Sequence, residues 1–301
     1  MPDATVLRCR RTMNRRESLT MLAGAASAFA ASGARIRIGC QARSYFAPAR
    51  DRARLLAAMD DMQAAGIEGM ECNHLCMADD FERPESMRAE LARRKLDLIG
   101  LHVGGRFDDA HLAEKSRVEI ERVARGAKAL GASHVVVSPA AVRGLSGAAM
   151  QAAVHRKGDE LNRAGEVCAR IGVRLAVHNH REETLRGWSE FRLLAEKTNP
   201  STVSFFVDVG HSAVTGEDPV PFLRDYHWRI PAIHVRDHQG EKQAAVGAGT
   251  INYQAIAEGL GSRRWGGWLI LELEAGGIPG HTPGSAVRAG RDYLRKTFGL
   301  G

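Results

Sequence analysis

The chain is short of paired cysteines, of long apolar runs and of blocks of like charge, and each shortage removes a class of protein. Five cysteines in 301 residues, at Cys9, Cys40, Cys72, Cys76 and Cys168, repeat no pair spacing, which excludes a disulfide-built fold. Cys72 and Cys76 form a lone C-x3-C with too few soft ligands for a structural zinc site, so they read as free thiols. No apolar run approaches the ~20 residues that cross a bilayer. The formal net charge is +7. Five arginines against Asp3 and Glu17 give the first 34 residues +3 of it, which leaves +4 for all the rest. So mild a balance carries no footprint for nucleic acid or an anionic membrane. No glycine-rich phosphate loop follows an early apolar run, Gly104-Gly105 being an isolated pair. What remains, 44% hydrophobic and 26% charged, can bury a full core.

Residues 1–34 form a region of their own. Asn14-Arg15-Arg16-Glu17-Ser18-Leu19-Thr20 precedes a modest apolar run over 21–30, and Ala-x-Ala-like sites follow before Arg35. A charged part, an apolar part and a small-residue cleavage zone make a signal peptide. It resembles the twin-arginine type, with Arg15-Arg16 as the pair and Leu19 as the hydrophobic position. The expectation is periplasmic export, no membrane anchor, and residues 1–34 disordered or cleaved.

After Arg35 one unit recurs: an apolar run, a loop, then an amphipathic stretch. The runs begin near Ile36, Ile67, Asp97, His134, Val173, Val203, Pro231 and Trp268. Spacings of roughly 30–40 residues suit strand–helix units joined by right-handed crossovers. Between them, Leu55, Met59 and Met62, or Leu161, Ala164, Cys168 and Ile171, have helical spacing, and Gly66, Gly131 and Gly172 stand where helices should stop. Eight units predict an α/β fold, a single-domain (β/α)8 TIM barrel over residues 35–301. A doubly wound open sheet is the alternative that the missing phosphate loop disfavours.

In such a barrel, chemistry sits at the C-terminal strand ends. The otherwise apolar runs end in polar residues there: Glu71, His102, His178 with His180, Asp208 then His211, His234 then Asp237, and Glu272 with Glu274. Several carboxylates around one axis are costly unless a cation neutralises them. A single divalent metal ion follows as an expectation, and mixed oxygen and imidazole donors suit Mn, Mg, Co or Zn alike.

The strings VHNHREE (177–183), VDVGH (207–211), IHVRD (233–237), VGAGTINY (246–253) and GGWLILELE (266–274) resemble the sugar phosphate isomerase/epimerase family, the xylose-isomerase-like barrels. The resemblance covers nearly everything from Arg35 onward. It implies one divalent metal held by Glu183, Asp208, His234 and Glu272, with His178 as substitute for Glu183 and Glu274 for Glu272. It further implies that Glu183 and Glu272 move protons, with His180, His211 and Arg236 fixing substrate hydroxyls. His102, His178, Glu71 and Gln41 would line the pocket, and Asp237 would orient His234 or reach a hydroxyl.

The implied activity is isomerisation or epimerisation of a keto sugar or hydroxy-keto acid through an enediolate, on a small carbohydrate, with self-association left open. A second class shares the first step and expels a β-leaving group: a lyase or dehydratase acting on a keto-glycoside or related acid. An endonuclease IV-like DNA-repair enzyme would need an Asp-x-His after the seventh strand, which is missing. A non-catalytic sugar-binding barrel would hold no metal. For the leader, replacing Arg15 and Arg16 by Lys should strand a fused reporter in the cytoplasm; unchanged export would remove the twin-arginine reading.

Overall fold

A computed structural model describes residues 35–261, 264–274 and 277–301. The expected export signal therefore lies outside the described residues. Strands β1 (Arg37–Gln41), β2 (Gly69–Asn73), β3 (Asp97–Gly105), β4 (His134–Pro139), β5 (Arg174–His178), β6 (Val203–Asp208) and β7 (Ala232–Val235) start within two residues of the predicted positions. A small antiparallel ribbon then intervenes, β8 (Asp237–Gln239) paired with β9 (Lys242–Ala244), which no apolar period announces. With β10 (Trp268–Leu271) the parallel strands close into a barrel in the order β1-β10-β7-β6-β5-β4-β3-β2.

Local chemistry sets the helix limits. Asp51 accepts the Arg54 amide at 3.0 Å to start the helix Arg52–Ala64, and Asp109 does the same for Ala110–Leu130 through the His111 and Leu112 amides. Side-chain oxygens there satisfy amides that have no partner inside the helix. Gly131 and Gly172, at φ 87° and 92°, close two helices in the left-handed conformation that a side chain disfavours. The helix Arg181–Lys197 departs from this regularity: Leu185 to Trp188 are non-helical, and the segment is two helical pieces across a kink.

The larger apolar cluster fills the space between strands and helices. A smaller one, Ile99, Val136, Ala176, Phe206, Ala232 and Ile270, is separate from it and lies inside the barrel. Strand residues two apart share a face. The next inward layer is therefore Ser138, His178, Asp208, His234 and Glu272, at the C-terminal mouth. The same pleat that packs the barrel interior places the polar set, so the site is a continuation of the core.

Cys40, Cys72, Cys76 and Cys168 are all free, as expected, and all four are buried. No described helix is long and apolar enough to cross a membrane. One charged pair is buried away from the strand mouth: Lys157 Nζ lies 2.6 Å from Glu190 Oε1 and donates to Ala140 O at 2.9 Å, while Glu190 Oε2 accepts the Val142 amide at 3.0 Å. The pair pins the loop after β4. Lys157→Met should cost about 3–5 kcal/mol in urea unfolding, because Glu190 is left charged and buried without its partner. Adding Glu190→Gln should recover part of that loss; equal stability of all three proteins would show that the pair does not hold this loop.

Candidate metal centre

His178 ends β5, Asp208 ends β6, His234 lies in β7 and Glu272 follows β10. One donor atom from each lies within 4.8 Å of every other, and all four residues are buried. Neighbours hold each in place. Asn179 clamps the ends of β5 and β6 by donating to Asp208 O at 3.0 Å and accepting the Asp208 amide at 2.9 Å. Asp208 also caps the following helix, accepting the His211 amide at 2.9 Å.

A chain of polar contacts runs round the mouth. Ser138 Oγ meets His102 Nε2 at 2.6 Å, and His102 Nδ1 lies 3.1 Å from Glu71 Oε1. Glu71 Oε2 is 2.9 Å from His234 Nε2, whose Nδ1 is 2.8 Å from Glu272 Oε2. Arg236 then spans Glu272 and Asp208, each at 2.9 Å. Burial opposes charge on His234, yet Glu71 and Glu272 outweigh it and raise the imidazole to about 10. Burial likewise opposes charge on Glu272, but Arg236 and His234 hold its carboxyl well below the usual range. Burial pushes His178 well below an ordinary histidine, with His234 adding to the effect.

The donor chemistry fits a divalent cation. Glu71, Asp208 and Glu272 bring three negative charges against Arg236 and protonated His234, leaving one uncompensated. A dipositive ion that displaced the His234 proton would bring this set to neutrality, and a ligating imidazole must be neutral. His178 Nδ1 is buried with no hydrogen-bond partner, so this ring has a nitrogen that no protein group occupies.

The structure redistributes several expected roles. Glu183 is not among the four converging donors, and His178 stands there instead. The chain has left β5 by Asn179, and Glu183 sits in the first turn of the next helix, where its Oε2 accepts the His180 amide at 3.1 Å. Its Oε1 is buried without a partner, and burial raises the carboxyl to about 7. Asp237 does not orient His234 and is fully buried: its two oxygens accept the amides of His238, Gly247, Gly249 and Ile251. A Cβ on Gly249 would fall 2.1 Å from Asp237 Oδ1, which explains the second glycine of the VGAG string. Glu71 is fully buried and anchors two histidines rather than a substrate. Glu274 is half-exposed and pairs with Arg43 at 3.1 Å, outside the donor set. Gln41 lines the pocket as expected, with Oε1 held by the Arg43 amide.

Arg236 enters the site although strand alternation alone would turn it away. β7 has ended at Val235, and Gly210 leaves room that a Cβ would fill 1.9 Å from Arg236 Cγ. Asn179 and Ser138 were not singled out from the sequence; the Asn inside His-Asn-His was the available signal for the first. His102, His178, His180, His211, Arg236 and Glu272 line a cleft of about 200 Å³. His180 also lines a neighbouring cavity of about 950 Å³, together with Glu183.

The sequence profile of the family described as xylose isomerase-like TIM barrel matches residues 59–297. An inosose dehydratase of Geobacillus thermodenitrificans is 29% identical over 161 residues, 47% of this chain and 54% of that one, so the alignment spans about half of that protein. The inosose dehydratase of Lacticaseibacillus casei is 26% identical over 276 residues, 81% of this chain and 89% of that one. Among solved structures, L-ribulose 3-epimerase superposes with a TM-score of 0.74 at 16% identity, covering 88% of this chain and 95% of that one. The IOLI protein, solved with a zinc atom, gives 0.71 at 14%, covering 87% and 98%. These two share the fold.

Equilibrium dialysis against Mn2+ tests the donor set. Asp208→Ala should abolish binding, and Glu274→Gln should leave it within a few-fold of the parent; the reverse pattern would move the centre to the outer carboxylate.

Proposed function

The chain belongs to the xylose isomerase-like TIM-barrel family, and on that footing we propose that it is a divalent-metal-dependent lyase acting on a small keto sugar or keto cyclitol. The reaction removes a proton beside a ketone and expels the oxygen one carbon further on. Two curated relatives named inosose dehydratases support this class. The observation that carries it is the contrast between two carboxyls. Glu183 has an unpartnered buried oxygen and lies near 7, whereas Glu272 is ion-paired to His234 and Arg236 and held well below the usual range. One good base serves an elimination, while inversion at carbon needs a second to return the proton from the other face.

His178, Asp208, His234 and Glu272 would hold the ion, which when bound polarises the substrate carbonyl and acidifies the neighbouring C–H. Glu183 takes the proton from that carbon. The C–H electron pair becomes the new C=C bond, and the C–O bond to the leaving oxygen breaks with its pair. Glu183 then gives the proton to that oxygen, releasing water or an alcohol and returning to carboxylate. A group titrating near 7 can act as base and then acid at one pH. His180 and His211, which burial keeps below the ordinary imidazole range, are neutral and hydrogen-bond the substrate hydroxyls. Isomerisation or epimerisation is the second reading, with Glu272 as the returning acid. Periplasmic export, resting on Arg15-Arg16, belongs to the same proposal.

The metal-loaded protein in deuterated buffer, given keto cyclitols and keto-glycosides and followed by NMR, should release a leaving group. Exchange beside the carbonyl without elimination would favour epimerisation. Because the base is the deprotonated form, kcat/KM should rise with pH and level off above about 7. Glu183→Gln should lower kcat by roughly 10²–10⁴-fold with Mn2+ affinity nearly unchanged; loss of the metal instead would make Glu183 a ligand.

A further inference from the structure

His178, His180 and His211 form a second convergent set: one ring nitrogen from each lies within 4.8 Å of the others. The ring centroids are 5.2 Å apart for His178–His180, 5.1 Å for His180–His211 and 6.1 Å for His178–His211. Three imidazoles on one tetrahedral ion, with nitrogens at ~2.0–2.1 Å and ring centres about 1 Å beyond them, have centroids about 5 Å apart. Two of the three separations already have that value, and the third closes with a small ring movement.

A further observation points to a ligand. His178 is 1% exposed, and its Nδ1 has no hydrogen-bond partner. A cation here would keep an open side, because the three rings line the cleft and His180 also faces the larger cavity.

The geometry points to a second metal site, a three-histidine site for a borderline-soft divalent ion such as Zn2+ or Cu2+, beside the mixed carboxylate centre. His178 belongs to both sets, and one neutral imidazole offers one lone pair. When His178 serves the outer ion, Asp208, His234 and Glu272 remain for the inner one. The two centres differ in donor type. All-imidazole ligation favours Zn2+ or Cu2+, whereas carboxylates accept Mn2+ and Mg2+ as well. The fourth position of the outer ion is left for water or a substrate oxygen.

The test uses untagged full-length protein, with Zn2+ or Mn2+ alone as the probe, followed by dialysis and elemental analysis. Wild type should bind two equivalents of Zn2+ but one of Mn2+. His211→Ala should weaken the second Zn2+ at least about 100-fold and leave Mn2+ binding intact. Glu272→Gln, checked for folding by circular dichroism, should lose Mn2+ and still bind Zn2+. Cu2+ in that variant should show nitrogen hyperfine structure in its EPR spectrum, diminished when His211→Ala is added. A single Zn2+ in wild type that His211→Ala leaves untouched overturns the site. Loss of Mn2+ binding in wild type would instead strike at the inner centre and the lyase reading, so the two failures are distinct.

Discussion

Three carboxylates, Glu71, Asp208 and Glu272, buried at one end of a closed barrel are the constraint from which most of the surrounding structure follows. Isolated, each would be forced toward its neutral form. They stay useful as anions because positive charge is brought among them: Arg236 between Asp208 and Glu272, and His234 between Glu71 and Glu272. The pattern is poised one charge short of balance. Exchanging the His234 proton for a dipositive ion completes it, so proton and metal compete for one imidazole and cation affinity must rise with pH.

Such a cluster needs a frame stiff enough to hold like charges together. The frame is the barrel pleat itself, since the polar layer of Ser138, His178, Asp208, His234 and Glu272 lies two residues beyond the inner apolar layer on β4, β5, β6, β7 and β10. Backbone clamps add precision at the places where strands have ended and alternation no longer governs direction. Asn179 ties β5 to β6, and Asp237 gathers four amides of the ribbon and the loop behind it. Asn179 fixes the backbone from which Asp208 projects, and Asp237 fixes the loop after the ribbon.

The division between what the sequence revealed and what it hid follows from this. Eight strand starts were legible because the period of apolar runs is a property of the core, and Asp208, His234 and Glu272 because they are polar residues at the ends of apolar runs, in strings that resemble those of the family. Glu183, Arg236 and Asp237 were harder, since all three lie beyond a strand end, where direction depends on loop geometry. Arg236 needs the space Gly210 leaves, and Asp237 needs the glycines of a loop ten residues away. The ribbon β8–β9 and the kink at 185–188 leave no periodic trace, because neither buries a repeating apolar face.

The choice between elimination and inversion rests on how unequal the two remaining carboxyls are. Proton removal beside a ketone is common to both outcomes, so the donor set alone does not separate them. Glu272 is tied into the charge network and is a weak base for as long as Arg236 stays beside it. Glu183 is tied to a helix start and a large cavity, and the cation that bears most on its carboxyl is Lys157, whose own charge is satisfied by Glu190. An epimerase would need Arg236 to release Glu272 during the reaction. Gly210 packs tightly against Arg236, and Tyr253 donates to its carbonyl at 2.8 Å. Those contacts oppose such a movement, and the asymmetry they preserve supports the proposed loss of a leaving group over return of the proton.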